Sequence, residues 1–301
     1  MARRVRPHQN RHMTGPTRSG RATNGTCQLH YDTFGDPANP TLLLVNGLGS
    51  QCTNYKDAWC TMFADRGLQV IRFDNRDVGL STSFADAPVN EQGAAYTLRD
   101  MSDDAFAVLD ANGVQQAHVM GLSMGGMIVQ TMAIEHPERI LSMTSVMSTT
   151  GEPDYMRSSP EAYALLTGTP PTDRESAIER HVEGLRVFGS PAPYADEDRW
   201  RADAGAAFDR AFTPDGTRRQ FLAVGASGSR ADALRQLDVP TLVMHGSADT
   251  LIDPIGGRRT AELIPGARFQ LIEGMGHDYP PALWERWVDL VVDHALGARR
   301  S

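Results

Sequence analysis

The sequence predicts an α/β protein built on a mostly parallel, doubly wound sheet with an all-helical insertion. Three observations support this: short runs that are apolar on both faces, helical stretches between those runs, and an interval without convincing strands at 151–237. A strand that is apolar on both faces is covered on both sides, and its alternation with helices is typical of parallel sheets.

The strands and helices follow one another from residue 27 onward. Cys27–Phe34 is predicted to be an early strand, and six further runs, mostly apolar on both faces, are predicted to be buried strands. These runs are 41–45, 68–73, 117–122, 143–147, 241–245 and 268–272. Apolar residues at helical spacing predict helices at 96–111, 173–188, 196–212, 215–225 and 282–296.

These elements divide the chain into three parts. Residues 1–25 are predicted to be a disordered basic extension, 26–150 and 238–301 the α/β core, and 151–237 the helical insertion. The extension is rich in arginine but lacks the apolar core of about 7–15 residues that a secretory signal needs. Either Met1 or Met13 could be the native start.

Charge and cysteine content exclude several functional classes. The formal net charge of the 301 residues is −8, and residues 1–21 hold six arginines and no acid, so the rest carries −14. This acidic remainder of the chain repels phosphate backbones, which argues against nucleic-acid binding.

The sequence also argues against a membrane span and a metal site. No apolar run reaches the roughly 18 residues that span a membrane. Cys27, Cys52 and Cys60 lack metal-ligand spacing, and free thiols favour a cytoplasmic location.

The strongest chemical signal is Gly121-Leu122-Ser123-Met124-Gly125, which lies between an apolar strand and a helix-forming run. This context fits a nucleophile elbow, in which the serine occupies a sharp turn and glycines allow close backbone approach. Ser123 is therefore the predicted nucleophile. The following helix adds a favourable potential for a developing oxyanion.

A serine nucleophile needs a base and an acid, which follow it along the chain in this arrangement. Five histidines lie downstream of Ser123, and His277 is favoured because it occupies a glycine-containing loop after the last strand. Asp249 and Asp253 follow the preceding strand. Asp249 is the predicted acid, since Asp253 precedes Pro254 and fits a helix N-cap. The histidines weighed are His136, His181, His245, His277 and His294.

Two backbone N–H groups are predicted to bind the oxyanion. One belongs to Met124, directly after the nucleophile, and the other to Leu48, in the loop after the first buried strand.

Together these motifs resemble the α/β-hydrolase superfamily over about residues 26–297. Residues 73–81 (FDNRDVGLS) are similar to its Asp-x-Arg-Gly-x-Gly-x-Ser loop, and the elbow resembles actinobacterial carboxylesterases of the aclacinomycin methylesterase type. Asn46 replaces a common histidine and Asp77 a common glycine. The resemblance implies that Asp74 and Arg76 are structural, pairing beneath the active-site loop.

The predicted activity is hydrolysis of a small-molecule carboxylic ester by Ser123, His277 and Asp249, without a cofactor or metal ion. The insertion is expected to cover the site and select the substrate. Alternatives are a cofactor-free haloperoxidase (perhydrolase) with the same triad, and a ligand receptor that retains the triad. The sequence gives neither the ester nor the oligomeric state.

Overall fold

A computed structural model describes residues 15–297 of the chain. Within that range no helix is both long enough and apolar enough to cross a bilayer. The strands are β1 (Arg18–Asn24), β2 (Cys27–Phe34), β3 (Thr41–Val45), β4 (Gln69–Phe73), β5 (Ala117–Leu122), β6 (Ile140–Val146), β7 (Thr241–Gly246) and β8 (Arg268–Ile272). The helices are α1 (Asp57–Asp65), α2 (Leu98–Ala111), α3 (Met124–Glu135), α4 (Pro160–Thr167), α5 (Arg174–Phe188), α6 (Glu197–Arg210), α7 (Pro214–Ser227), α8 (Ala231–Leu234), α9 (Pro254–Leu263) and α10 (Trp284–Gly297).

One sheet of eight strands organises the molecule. The strand order is β1-β2-β4-β3-β5-β6-β7-β8. The β1–β2 and β2–β4 pairs are antiparallel, and every pair from β4 to β8 is parallel. The predicted mostly parallel sheet is confirmed. Because parallel strands share one carboxyl edge, the loops after β3, β5, β7 and β8 meet along that edge.

Helices cover both faces of the sheet, which confirms the doubly wound prediction. On one face α2 and α3 bury side chains such as Met101 and Ile128 against the strands. On the other face α1 and α10 contribute Trp59 and Trp287, both fully buried. The continuous apolar runs of the sequence are explained by this double cover.

The prediction of disorder up to residue 25 is wrong for residues 18–24, which form β1. The strand pairs with β2 from Arg18 opposite Thr33 to Asn24 opposite Cys27, across a two-residue turn that begins with Gly25 at φ +56°. A two-residue loop that begins with glycine is a hairpin signal. It was missed because β1 is mostly polar and held mainly by backbone pairing. Residues 1–14 of the predicted extension, with Met1 and Met13, lie outside the described residues.

The residues between β6 and β7 form helices α4–α8, and no strand occurs among the described residues there. Helices α5 and α6 pack against each other through a small cluster of their own: Ile178, Val182, Trp200 and Ala204. The insertion therefore has only a small apolar centre, and its position depends on contacts with the core.

Candidate active site

Ser123 lies between the last residue of β5 and the first residue of α3, at the carboxyl edge of the sheet. Its backbone has φ +55° and ψ −118°. Such a conformation costs a non-glycine residue on the order of 1–3 kcal/mol and persists only where its surroundings hold it. Here the Ser123 N–H donates to Val146 O at 2.9 Å, and Ser148 Oγ donates to Ser123 O at 2.8 Å.

The glycines on either side of Ser123 are required by close backbone contacts. A Cβ atom on Gly121 would lie 2.0 Å from the carbonyl oxygen of Gly125. One on Gly125 would lie 2.1 Å from that of Val45. A side chain at 121 would push the start of α3 away from β5, and one at 125 would push it away from the end of β3, so the motif is a packing requirement of this turn.

The structure brings Ser123, His277 and Asp249 into one hydrogen-bonded chain. His277 Nε2 lies 2.9 Å from Ser123 Oγ, and His277 Nδ1 lies 2.7 Å from Asp249 Oδ2. The three residues come from the loops after β5, β8 and β7. In the tautomer with the proton on Nδ1, His277 donates to the carboxylate and its Nε2 can accept the serine proton.

The Asp249 carboxylate is buried and fully hydrogen-bonded. Its Oδ1 accepts the N–H groups of Leu251 and Ile252, each at 2.9 Å. Burial acts to raise the pKa of Asp249, but the electrostatic interaction with His277 and hydrogen bonds from His245 and His277 outweigh it and lower the pKa to about 2. The group is therefore ionised at neutral pH.

Asp253, the other acid in this loop, has a different place. Its side chain is exposed and Oδ1 accepts the N–H of Ile255 at 2.9 Å, so that it caps α9. The N-cap prediction is confirmed, and only Asp249 reaches His277.

His245, which sequence reasoning set aside as a base, lies behind the acid. Its Nε2 is 3.2 Å from Asp249 Oδ2 and 2.9 Å from the carbonyl oxygen of Ile252. Both neighbours of Nε2 are acceptors, so this nitrogen carries the proton. Asp249 Oδ2 thus lies between two imidazoles. The spacing His245-x-x-x-Asp249 was a signal for this contact, but only the turn after β7 shows that the side chains meet.

The loop carrying Leu48 lies directly beside Ser123. A Cβ on Gly47 would be 3.2 Å from Ser123 Cβ, and Leu48 lines the same cavity as Ser123. The last carbonyl oxygen of β3 and the first of the loop both accept hydrogen bonds. Tyr55 Oη donates to Val45 O at 3.1 Å, and Asn75 Nδ2 donates to Asn46 O at 3.1 Å. These bonds support the loop where many relatives carry a histidine. Met124, the other predicted oxyanion donor, is the first residue of α3.

The prediction that Asp74 and Arg76 pair with each other is wrong. Asp74 Oδ2 accepts from Arg210 of α6 at 2.8 Å, whereas Arg76 donates to both oxygens of Asp104 at 2.6 and 2.8 Å. Both residues are buried. Their role is still to hold structure, but Asp74 joins the loop to the insertion and Arg76 joins it to α2.

A cavity of about 320 Å³ lies over Ser123 and His277, between the core and the insertion. A second cavity of about 660 Å³ adjoins it beneath the insertion. Both are lined by Leu48, Leu166, Arg180, His181 and Thr217. Among the large apolar residues of the insertion, Leu165, Leu166, Phe188 and Trp200 border the first cavity, Phe208, Phe212 and Phe221 border the second, and Met156 and Tyr163 are exposed.

Known proteins resemble this chain over most of its length. Residues 40–279 match the family model described as alpha/beta hydrolase fold. The chain is 30% identical to rhodomycin D methylesterase DauP of Streptomyces sp. (strain C5), over 94% of this chain and 99% of the relative. It is 28% identical to the putative carbamate hydrolase RutD of Caulobacter vibrioides, over 92% and 99%.

Solved structures share the fold over nearly the whole chain. A hydrolase from Pseudomonas aeruginosa PA01 superimposes with a TM-score of 0.73 at 25% identity, covering 93% of this chain and 99% of that one. The esterase RhEst1 from Rhodococcus sp. ECU1013 gives a TM-score of 0.76 at 20% identity, covering 93% and 98%. At that lower identity the likeness concerns the fold alone.

Proposed function

Since the chain belongs to the alpha/beta hydrolase fold family, we propose that it is a serine carboxylesterase in which Ser123, His277 and Asp249 form the catalytic triad. The observation that carries the proposal is the continuous hydrogen-bonded chain from Ser123 Oγ through His277 to Asp249. The 30% identity to a methylesterase over nearly the full length supports carboxylic esters as the substrate class.

The proposed reaction has two acyl-transfer steps. Ser123 Oγ attacks the ester carbonyl while His277 Nε2 takes its proton, and the tetrahedral intermediate collapses as His277 protonates the leaving alcohol. Water then attacks the acyl-enzyme with His277 again as base, and Ser123 leaves with the returned proton. Asp249 remains ionised and holds the imidazole with its proton on Nδ1.

The negative charge of each intermediate needs donors in fixed positions. The N–H of Met124, at the start of α3, and that of Leu48, in the loop beside Ser123, are the donors of this proposal. Each oxyanion donor contributes about 10²–10³ in kcat in comparable enzymes.

The cavity favours small groups next to the nucleophile and larger ones beyond it. The space over Ser123 is about half as large as the adjoining cavity, at about 320 against 660 Å³. A methyl ester, the bond cleaved by the relative named above, places its small alcohol at the nucleophile and leaves the larger space for the acyl part. Methyl esters of bulky acids are therefore the preferred substrates of this proposal.

Replacement of the nucleophile tests the assignment. In Ser123→Ala, hydrolysis of p-nitrophenyl acetate should fall by at least about 10⁴-fold, because the attacking oxygen is absent. Stopped-flow or steady-state release of p-nitrophenol measures the change, and circular dichroism verifies folding.

The matched control is Ser227→Ala, which deletes a half-buried hydroxyl at the end of α7, outside the triad and its loops, and should retain turnover. Unchanged turnover in Ser123→Ala would contradict the proposal. Peroxide-dependent perhydrolysis of acetate that greatly exceeds ester hydrolysis would identify the perhydrolase instead.

A further inference from the structure

The end of α5 contacts both loops that carry the acid and the histidine. We call residues 187–190 the junction segment. Thr250 Oγ1, next to the acid, donates to Val187 O at 2.9 Å. The His277 N–H donates to Phe188 O at 2.6 Å. The insertion is therefore bonded directly to the main chain of the histidine itself.

Ser190 and Asp278 add a side-chain connection on the other side of His277. The Ser190 N–H donates to Asp278 Oδ1 at 3.0 Å, and its hydroxyl donates to the same oxygen. The Ser190 oxygen in turn accepts the N–H of Gly276 at 2.9 Å. One serine thus binds the residue before His277 and the residue after it.

Burial makes this connection strong. Ser190 and Asp278 are 1% and 7% exposed. A buried acceptor that loses its donor is destabilised, since water cannot replace the bond. Burial also raises the pKa of Asp278. Within residues 15–297 its Oδ2 has no hydrogen-bond partner, so the carboxyl group depends on Ser190 for its orientation.

The backbones on the two sides pack without space between them. A Cβ on Gly276 would lie 2.2 Å from the carbonyl carbon of Gly189. The Phe188 ring meets the imidazole of His277 edge to face, with centroids 6.2 Å apart. A shift of the junction segment would therefore move the imidazole.

We propose that Ser190 and Asp278 are positioning residues that fix His277 between Ser123 and Asp249, which makes the insertion part of the catalytic apparatus as well as a cover. The inference rests on the proposed function, in which His277 is the base. Displacement of a reacting group by about 1 Å can lower the rate about 10²-fold.

Ser190→Ala tests this directly. It removes the bonds to Gly276 and Asp278 that involve the hydroxyl, and kcat for p-nitrophenyl acetate should fall about 10- to 100-fold with KM changed less than about 3-fold. Ser190→Thr keeps a hydroxyl and should recover most of the loss. In Ser190→Ala/Asp278→Ala the two effects should be less than additive, because the residues act through one contact.

The matched control is Ser227→Ala at the end of α7. Ser227 Oγ also accepts a backbone N–H at 2.9 Å, from Leu98, but that bond is distant from the catalytic loops. This variant should lower the melting temperature without changing kcat. A loss of activity that arises only from general destabilisation would affect both alanine variants alike, and that result would overturn the proposal.

A second readout does not need turnover. The low-field proton NMR signal of His277 Nδ1–H, identified by its loss in Asp249→Ala, should broaden or shift in Ser190→Ala and stay unchanged in Ser227→Ala. If wild type is active, Ser123→Ala is inactive and Ser190→Ala matches wild type in both kcat and this signal, the positioning role is wrong while the triad stands. If Ser123→Ala stays active, the triad itself fails.

Discussion

At the scale of single residues, the choice between two acids depends on where each side chain points. Asp249 and Asp253 are four positions apart in one loop, and both precede turns. Asp249 turns inward to His277 and accepts two backbone N–H groups, whereas Asp253 remains exposed at the start of α9. The sequence distinguished the two residues because aspartate before proline is a preferred helix N-cap.

Asp249→Asn should lower kcat about 10⁴-fold, because an amide in place of the carboxylate no longer holds His277 in the useful tautomer. Steady-state hydrolysis of p-nitrophenyl acetate measures the loss. Asp253→Asn is the matched control and should keep wild-type kcat, since asparagine also caps a helix well. Loss of activity in Asp253→Asn with retention in Asp249→Asn would exchange the roles of the two acids.

The comparison of wild type with Asp249→Asn also gives a test by pH. The pKa of Asp249 is lowered from 3.8 to about 2, so its ionised form stabilises the fold above about pH 4, and this stabilisation is lost as the pH falls towards 2. The loss corresponds to about 2 kcal/mol. Urea unfolding of wild type should show it and that of Asp249→Asn should not. A parallel pH profile in the two proteins would contradict the lowered pKa.

At the scale of elements, the departure from the family pattern at Asp77 is explained by helix α7. Asp77 Oδ1 accepts from Arg219 at 2.6 Å and Oδ2 accepts from Arg219 at 3.0 Å and from Tyr96 Oη at 2.6 Å. The residue has φ +71°, which glycine adopts without strain. An aspartate at this position therefore introduces backbone strain. In return, its buried carboxylate forms an ion pair with Arg219 of the insertion.

Asp77→Gly should lower the free energy of unfolding by about 2–4 kcal/mol. Relief of backbone strain should raise the free energy of unfolding by about 1 kcal/mol. The loss of a buried partner for Arg219 and the Tyr96 hydroxyl should lower it by more than that. Denaturation in guanidinium chloride measures the difference. Asp289→Asn, which breaks an exposed pair with Arg66 at 2.5 Å, is the comparison and should change stability by less than about 1 kcal/mol. A glycine variant as stable as wild type would show that the ion pair contributes no net stability.

The sequence predicted the motifs within single elements and loops, but it did not predict the contacts between distant elements. The elbow and the histidine loop are defined by glycines and strand ends that lie within a few positions of Ser123 and His277. Arg210 and Arg219 lie more than 130 positions from their carboxylate partners in the 74–77 loop. No periodicity predicts such pairs. The pairing of Asp74 with Arg76 was implied by the family resemblance, and the partners in the structure contradict it.

At the scale of the whole molecule, the strand order determines the site and the insertion completes it. Parallel strands β3, β5, β7 and β8 bring the loops that carry Leu48, Ser123, Asp249 and His277 to one edge. The insertion is bonded to that edge by Arg210, Arg219 and the junction segment. The architecture followed from the alternation of runs in the sequence. The hairpin of β1 did not, because a mostly polar edge strand lacks an apolar pattern.

The central claim is that an ester is cleaved through an acyl group on Ser123. Reaction with p-nitrophenyl butyrate, quenched with acid in the pre-steady state and analysed by peptide mass spectrometry, tests it most directly. We expect a burst of p-nitrophenol equal to the enzyme concentration and one butyryl group on Ser123, both absent in Ser123→Ala. Hydrolysis with the acyl group on another residue, or undiminished hydrolysis in Ser123→Ala, would contradict the account.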